Sequence, residues 1–216
     1  MPLRLGLMGG AFNPPHFGHL RPTRAAADFL ALDKVLFIPS GQHPLKNPVD
    51  LAPAKDRSAM TQLAIADEPR FELSRLEVDR QGTSYTIETL KEVRSQEPQA
   101  EIFFLMGADL FEELHLWREW RNLLDWAHIH VSMRPGFAPA LKNSTAAQAL
   151  ADKKVERPEE LVLDAQGKGR WIARESTLLE ISSTELRAQF KQGIEPSQLV
   201  PPPVLEYIAR QQLYQR

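Results

Sequence analysis

Short apolar runs alternate with amphipathic stretches along most of this chain of 216 residues. The apolar runs at 3–8, 35–39, 102–106 and 128–133, with a shorter one at 71–73, are typical of buried strands. Between them, apolar residues at helical spacing predict a helix that begins near Gly18, a helix at 54–66 and a helix capped by Ser84. They also predict further helical stretches at 110–114 and 117–124. This alternation predicts an α/β fold, a Rossmann-like doubly wound parallel sheet with helices on both faces.

The end of the chain has a different pattern. Ser182 and Glu185 have the spacing of a capping box, which predicts a helix start, and three prolines precede a final helix over 204–213. We therefore predict a single domain over 1–216, with an α/β core to about residue 180 and a small helical C-terminal cap over 181–216. Residues 137–170 are rich in Ala, Lys and Glu, and we interpret them as an excursion from the core or a flexible insert.

Composition narrows the class of protein. The 26 basic and 28 acidic residues are mixed along the chain, so they do not provide the broad positive field of a nucleic-acid-binding protein. The sequence has no cysteine, and no N-terminal apolar run resembles a signal peptide or a membrane span. We expect a cytoplasmic protein, a monomer or small homo-oligomer, with neither a nucleic-acid nor a membrane partner.

The segment 9–19 joins the first predicted strand to the first helix and carries most of the candidate chemistry. Its glycines let a ligand approach the backbone, and its prolines stiffen the loop that presents His16 and His19. We expect free N–H groups at this helix start, which together with the helix dipole favour an anion, and each imidazole can donate an N–H to a phosphoryl oxygen. These features predict a phosphate site.

Other interpretations of the two histidines are half of a metal site or ordinary polar groups of a loop. His43, His115, His128 and His130 form no ligand pattern with Asp or Glu, which counts against a metal. Neither a G-x-G-x-x-G nor a P-loop pattern is present, so phosphates would be held in another way.

The predicted helix start at Ser182 has two interpretations that overlap. As structure, Ser182 caps the helix. As chemistry, the helix start offers amides to an anion, with the hydroxyls of Ser183 and Thr184 beside them and Arg187 one turn further on. In parallel sheets, ligands bind beyond the carboxyl ends of the strands. That rule predicts a cleft that also gathers Lys46, Asp109 and Arg134.

Two motifs carry a resemblance to a known superfamily. Gly10-x-Phe12-x-Pro14-x-His16-x-Gly18-His19 and Ile181-Ser182-Ser183-Thr184-x-x-Arg187 resemble the G-x-F-x-P-x-H-x-G-H and I-S-S-T-x-x-R elements of nucleotidyltransferases related to class I aminoacyl-tRNA synthetases. The resemblance implies that His16, His19 and Arg187 are catalytic. The ATP contacts it implies are Gly9, Gly10, Ala11, Phe12, His16, Gly18, His19, Gly107, Asp109, Ser182, Ser183, Thr184 and Arg187.

Three further segments extend the match over nearly the whole chain, and the sequence resembles the bacterial nicotinate mononucleotide adenylyltransferase family. They are 39–46, 82–90, and 107–109 with Trp117. In that family the aromatic matching Trp117 stacks on the pyridine ring, amides matching Thr86 and Arg118 bind its carboxylate, and Asp109 takes the adenosine ribose. The nicotinate mononucleotide contacts implied are Ser40, His43, Lys46, Ser84, Tyr85, Thr86, Trp117, Arg118 and Arg134.

Without the resemblance, Trp117 reads as a core aromatic and Asp109 as a helix cap. Gln42-His43-Pro44 stands where many family members carry two prolines before the histidine, so the alignment inside this loop shifts by up to one residue.

The resemblance implies adenylyl transfer from ATP to nicotinate mononucleotide, with Mg²⁺ held mainly by ATP phosphates and water and no dedicated protein ligands for the metal. Alternatives are another acceptor, such as nicotinamide mononucleotide, phosphopantetheine or a flavin nucleotide, or a regulator that binds ATP without catalysis.

Overall fold

A computed structural model describes residues 2–41, 51–133, 136, 138–176 and 181–215. Within these residues, six strands form one sheet in the order β3-β2-β1-β4-β5-β6. The strands are β1 Arg4–Gly10, β2 Lys34–Pro39, β3 Phe71–Leu73, β4 Glu101–Gly107, β5 His128–Met133 and β6 Trp171–Glu175. The pairs β1–β4, β4–β5 and β5–β6 are parallel. The strand order reverses between β1 and β4, as in Rossmann folds, and the predicted fold class is confirmed.

The helices surround this sheet in the chain order expected of an α/β fold. They are α1 Phe17–Phe29, α2 Ala54–Ile65, α3 Thr86–Gln96, α4 Ala108–Glu112, α5 Ala138–Asn143, α6 Thr145–Ala149, α7 Ser183–Lys191 and α8 Pro202–Arg210. Among the residues that the structure covers, no helix is long and apolar enough to cross a membrane.

Two local predictions were wrong. The stretch 117–124 is not one helix: 3₁₀ turns occupy Leu114–Leu116 and Trp120–Asp125, and Trp117 between them is extended. Glu119 interrupts the helix because its φ of 51° is left-handed. Ser84 does not cap α3, since Tyr85 is the N-cap residue and the Ser84 hydroxyl donates to Glu77 O at 3.5 Å.

Residues 138–170 are folded, which contradicts the second of the two interpretations, a flexible insert. They contain α5, α6 and 3₁₀ turns at Ala151–Lys153 and Pro158–Glu160. Leu150 and Val155 are buried, and both contact the unpredicted strand β6: the indole N–H of Trp171 donates to Leu150 O, and the Val155 N–H donates to Trp171 O. The buried residues are too widely separated for a strong periodic pattern.

The chain divides into two compact units. The first contains Met1–Met8, Pro22–Val35 and Tyr85–Leu178, and the second contains Gly9–Arg21, Leu36–Ser84 and Leu179–Arg216. In the first unit, α4 packs against β4 and β5. In the second, a buried apolar cluster joins α2, α7 and α8 through Met60, Leu186, Val204 and Ile208. The histidine loop 9–19 and α7 therefore belong to the same unit.

Candidate active site

The two predicted phosphate elements meet inside the second unit. His16 Nε2 lies 3.2 Å from Ser183 Oγ, although the two residues are 167 positions apart in the chain. Arg187, one turn further along α7, donates from Nη1 to Asn13 O at 3.1 Å and from Nη2 to Thr184 Oγ1 at 3.4 Å. The tertiary fold thus places His16, Ser183 and Arg187 side by side.

Backbone donors fix the tautomers of both histidines. The Gly18 N–H donates to His16 Nδ1 at 3.1 Å, and the His16 N–H donates to His19 Nδ1 at 3.3 Å. A ring nitrogen that accepts a hydrogen bond carries no proton, so each neutral imidazole carries its proton on Nε2. The two rings are tilted by 33° with centroids 3.8 Å apart. Both rings therefore have an Nε2–H donor, and that of His16 is directed at Ser183 Oγ, 3.2 Å away.

Burial keeps His16 neutral. Its exposed fraction is 4%, and this burial lowers its pKa to about 4. At neutral pH the His16 imidazole contributes a directed N–H and no charge. The pairing of this neutral donor with the guanidinium of Arg187 suits an anion that redistributes charge, such as a reacting triphosphate.

The start of α1 differs from our expectation. We expected unpaired amides there, but the first four have acceptors within the protein. The Phe17 N–H donates to Leu199 O at 2.9 Å, Gly18 to the His16 ring, and His19 and Leu20 to His16 O. Attraction for an anion at this helix start therefore depends on the imidazole donors and the helix dipole.

The start of α7 agrees with its sequence pattern. Ser182 is the N-cap residue, and its hydroxyl accepts the Thr184 N–H at 3.2 Å. The Ser183 hydroxyl faces the loop, 3.5 Å from Pro14 O. Ser182 and Thr184 are exposed and Ser183 is half-buried, so the cap residue and the loop-facing hydroxyl are different side chains.

Glycine is required at position 18 by space. A Cβ added there would lie 2.8 Å from His16 Nδ1 and 3.4 Å from Ile181 Cβ. Before the histidines, Gly9 and Gly10 end β1 and are followed by Ala11 and the buried Phe12. The Phe12 ring meets the His19 ring edge-on with centroids 5.2 Å apart, and so supports it from the core side.

Ser40 follows β2 and was predicted to contact the mononucleotide. It is 5% exposed, and its hydroxyl has no hydrogen-bond partner among the described residues. A buried hydroxyl without a partner is costly unless a ligand satisfies it. The predicted site residues His43, Lys46 and Arg134 lie outside the described residues.

The remaining predicted site residues belong to the first unit. Thr86 is the first residue of α3, and the Arg118 guanidinium lies over the Tyr85 ring, 4.9 Å from its centroid. Trp117 is half-buried and meets Phe104 edge-on at 6.2 Å, so it is not a fully buried core residue. Asp109 is exposed in the first turn of α4, whose N-cap is Gly107, so it does not cap the helix.

Sequence reasoning missed Arg57, which is 2% exposed. Its guanidinium donates to Ala11 O at 2.8 Å, Ser40 O at 2.7 Å and Ala52 O at 3.0 Å. The available signal was the helical spacing of Arg57 and Met60, which places the arginine on the apolar face of the helix. A buried arginine needs several acceptors, so this position indicates a structural link. It ties the histidine loop to the residue that follows β2.

Comparison with known proteins identifies the general class of the chain through a family model and through its fold. A model of the cytidylyltransferase-like family matches residues 7–189, which is most of the chain. Two solved structures of nicotinic acid mononucleotide adenylyltransferase from Plasmodium falciparum, described as complexed with NaAD and with APC, have TM-scores of 0.73 and 0.71. Each covers 98% of this chain and 97% of its own, at 17% and 16% identity, so the likeness concerns the fold.

The sequence relatives are nearer. Proteins with the name "Probable nicotinate-nucleotide adenylyltransferase" are 38% identical in Desulfitobacterium hafniense and 39% identical in Pelobacter propionicus. The first match covers 99% of this chain and 96% of the relative, and the second covers 98% of both. The chain belongs to the nicotinate-nucleotide adenylyltransferase family.

Proposed function

We propose that this protein transfers the adenylyl group of ATP to nicotinate mononucleotide in NAD biosynthesis. A phosphate oxygen of the mononucleotide attacks the α-phosphorus of ATP, and the bond from that phosphorus to the oxygen bridging to the β-phosphorus breaks. The products are deamido-NAD and pyrophosphate. The attacking phosphate is already an anion, so the step requires no general base and no covalent protein intermediate.

The observation that carries the proposal is the 3.2 Å contact between His16 and Ser183, with His19 and Arg187 beside it. Charge moves toward the departing pyrophosphate during the reaction. Donors already fixed in place stabilise that charge without reorganising, which is the main electrostatic contribution to catalysis. We assign the Nε2–H groups of both histidines and the Arg187 guanidinium to the triphosphate.

Selectivity for the acid over the amide would come from the start of α3. Thr86 is its first residue, where backbone N–H groups lack partners within the helix, and the helix dipole favours a carboxylate by about 0.3 to 2 kcal/mol. We propose that this amide and that of Arg118 bind the nicotinate carboxylate, with Trp117 stacked on the pyridine ring. The Ser40 hydroxyl would donate to the mononucleotide, and Asp109 would accept from the ribose hydroxyls of adenosine.

Magnesium would enter with ATP. Among the residues for which the structure gives positions, no group of three or more His, Cys, Asp or Glu could hold a metal ion. A hard cation bound through phosphate oxygens and water does not need such a group, so the donor set fits Mg²⁺ carried by the nucleotide. The bound ion would supply charge neutralisation on the triphosphate.

The direct test measures pyrophosphate release from ATP with nicotinate mononucleotide, nicotinamide mononucleotide, phosphopantetheine and flavin mononucleotide as separate acceptors. We expect the highest kcat/KM with nicotinate mononucleotide and formation of deamido-NAD as the product. A higher kcat/KM with any other acceptor would refute the substrate assignment. ATP binding without any product would refute the enzymatic function.

A further inference from the structure

A tyrosine near the C-terminus reaches back to the histidine loop. Tyr214 Oη donates to Asn13 Oδ1 at 2.8 Å, across 201 positions of the chain. Asn13 Oδ1 also accepts the Ala52 N–H at 3.0 Å. Asn13 is only 2% exposed. The carboxamide is therefore held between two donors at the centre of the loop.

Asn13 also holds the catalytic arginine. Its backbone carbonyl accepts Arg187 Nη1 at 3.1 Å, and the carbonyl of the next residue, Pro14, lies 3.5 Å from Ser183 Oγ. A displacement of Asn13 would therefore move the acceptor of Arg187 together with the loop that carries His16.

The ring of Tyr214 contacts the other element. It stacks on Phe190 of α7, with centroids 5.8 Å apart and planes at 25°. Phe190 is three residues beyond Arg187 on the same helix. The hydroxyl thus holds the loop while the ring holds the helix.

Two properties indicate that this placement is maintained. Tyr214 has a φ of 63°, a left-handed conformation that is unfavourable for a residue with a Cβ and must be compensated by its contacts. Burial raises the pKa of its phenol above the usual range, so the hydroxyl stays protonated and remains a donor at neutral pH.

We propose that Tyr214 is a positioning residue for ATP: by holding Asn13 and Phe190 together, it sets where His16 and Arg187 meet the triphosphate. The inference rests on the proposed function, because the reacting nucleotide is taken to be ATP bound at this loop. It assigns a role in the reaction to the C-terminal segment beyond α8.

A matched pair of variants tests it. Tyr214→Phe keeps the stacked ring and removes only the donor. Tyr207→Phe is the control, because the Tyr207 hydroxyl donates at the same distance, 2.8 Å, to Asp56 Oδ1 on α2. Losing one such hydrogen bond corresponds to about a fivefold change in a binding or rate constant. We expect Tyr214→Phe to lower kcat/KM for ATP by about fivefold to tenfold without changing KM for nicotinate mononucleotide, and Tyr207→Phe to retain the wild-type constants.

The inference is overturned if Tyr214→Phe keeps the wild-type kcat and KM for ATP, or if Tyr207→Phe shows an equal loss. Thermal melting of both variants provides the comparison of stability, and binding of a non-hydrolysable ATP analogue by calorimetry provides a second measurement. If the wild-type protein makes no dinucleotide, the proposed function fails. Calorimetry then still decides the inference, which requires weaker analogue binding in Tyr214→Phe than in Tyr207→Phe.

Discussion

Replacing Gly18 by alanine should separate catalysis from folding. The added Cβ would lie 2.8 Å from His16 Nδ1 and 2.9 Å from His16 Cε1, closer than such atoms can approach. The ring cannot retreat easily, because His16 is 4% exposed and its ring centroid lies 3.8 Å from that of His19. We therefore expect the imidazole to rotate, which breaks the bond from the Gly18 N–H and redirects Nε2–H.

The two consequences differ in size. Misplacing one fixed donor at a reacting centre costs about 2.7 to 4 kcal/mol, which corresponds to a loss of about 10²- to 10³-fold in kcat. Overpacking costs about 1 to 3 kcal/mol of stability, and the better helix propensity of alanine offsets up to about 1 kcal/mol of that. The free energy of unfolding should therefore fall by only about 0 to 3 kcal/mol.

The assay is pyrophosphate release under saturating substrates, together with urea unfolding of the same preparation. Ala25→Gly is the matched control, because it changes one methyl group at an exposed position of the same helix. It should cost about 0.5 to 1 kcal/mol of stability and leave kcat unchanged. A Gly18→Ala protein that is folded and turns over at the wild-type rate would refute the assignment of His16 as a fixed donor.

Three other expectations follow from single residues. Burial lowers the pKa of His130 from 6.5 to about 4, so the unfolded chain binds a proton on this residue at a higher pH than the folded chain does. Stability therefore falls as the pH drops from about 6.5 to 4. His130→Leu should flatten that decline in urea titrations and, because the buried ring nitrogens have no hydrogen-bond partner in the described structure, add about 1 kcal/mol to the free energy of unfolding at pH 7. Ser182→Ala should remove a helix cap, costing about 1 kcal/mol and lowering Tm by about 2 to 4 °C in a thermal melt. Trp117→Ala should raise KM for nicotinate mononucleotide about tenfold through lost stacking, without changing KM for ATP in steady-state assays.

Each of these has a defined contrary outcome. An equally steep loss of stability below pH 6.5 in His130→Leu would show that another group carries it, with the buried His16 and His128 as the first to examine, since burial lowers the pKa of both to about 4. Ser182→Asn should keep the cap, so an equal loss in both Ser182 variants would contradict capping. A Trp117→Ala protein in which both KM values rise together would contradict specific stacking.

The fold was predictable because its central strands are nearly continuous apolar runs, which are typical of a parallel sheet covered by helices. Strand β6 was missed because only Trp171, Ile172 and Ala173 in it are apolar, and charged residues complete it. The break at Trp117 was also missed, since it depends on a left-handed Glu119 that no residue type signals.

The residues of the candidate site likewise include some that the sequence reveals and some that only the fold reveals. His16, His19 and the 181–187 element are visible in the sequence, because their residue types and spacing form recognisable motifs. Arg57 and Tyr214 are not, because each acts through acceptors on Ala11 or Asn13 that only the tertiary fold brings within reach. The Phe17 N–H at the start of α1 was expected to be unpaired for a related reason: its acceptor, Leu199 O, is more than 180 residues away.

The central claim is that the histidine loop and α7 hold the same triphosphate, and a crystal structure with a non-hydrolysable ATP analogue tests it most directly. We expect phosphate oxygens within hydrogen-bond distance of His16 Nε2, His19 Nε2 and the Arg187 guanidinium in one molecule. A triphosphate that contacts the histidines alone, or α7 alone, would contradict the claim.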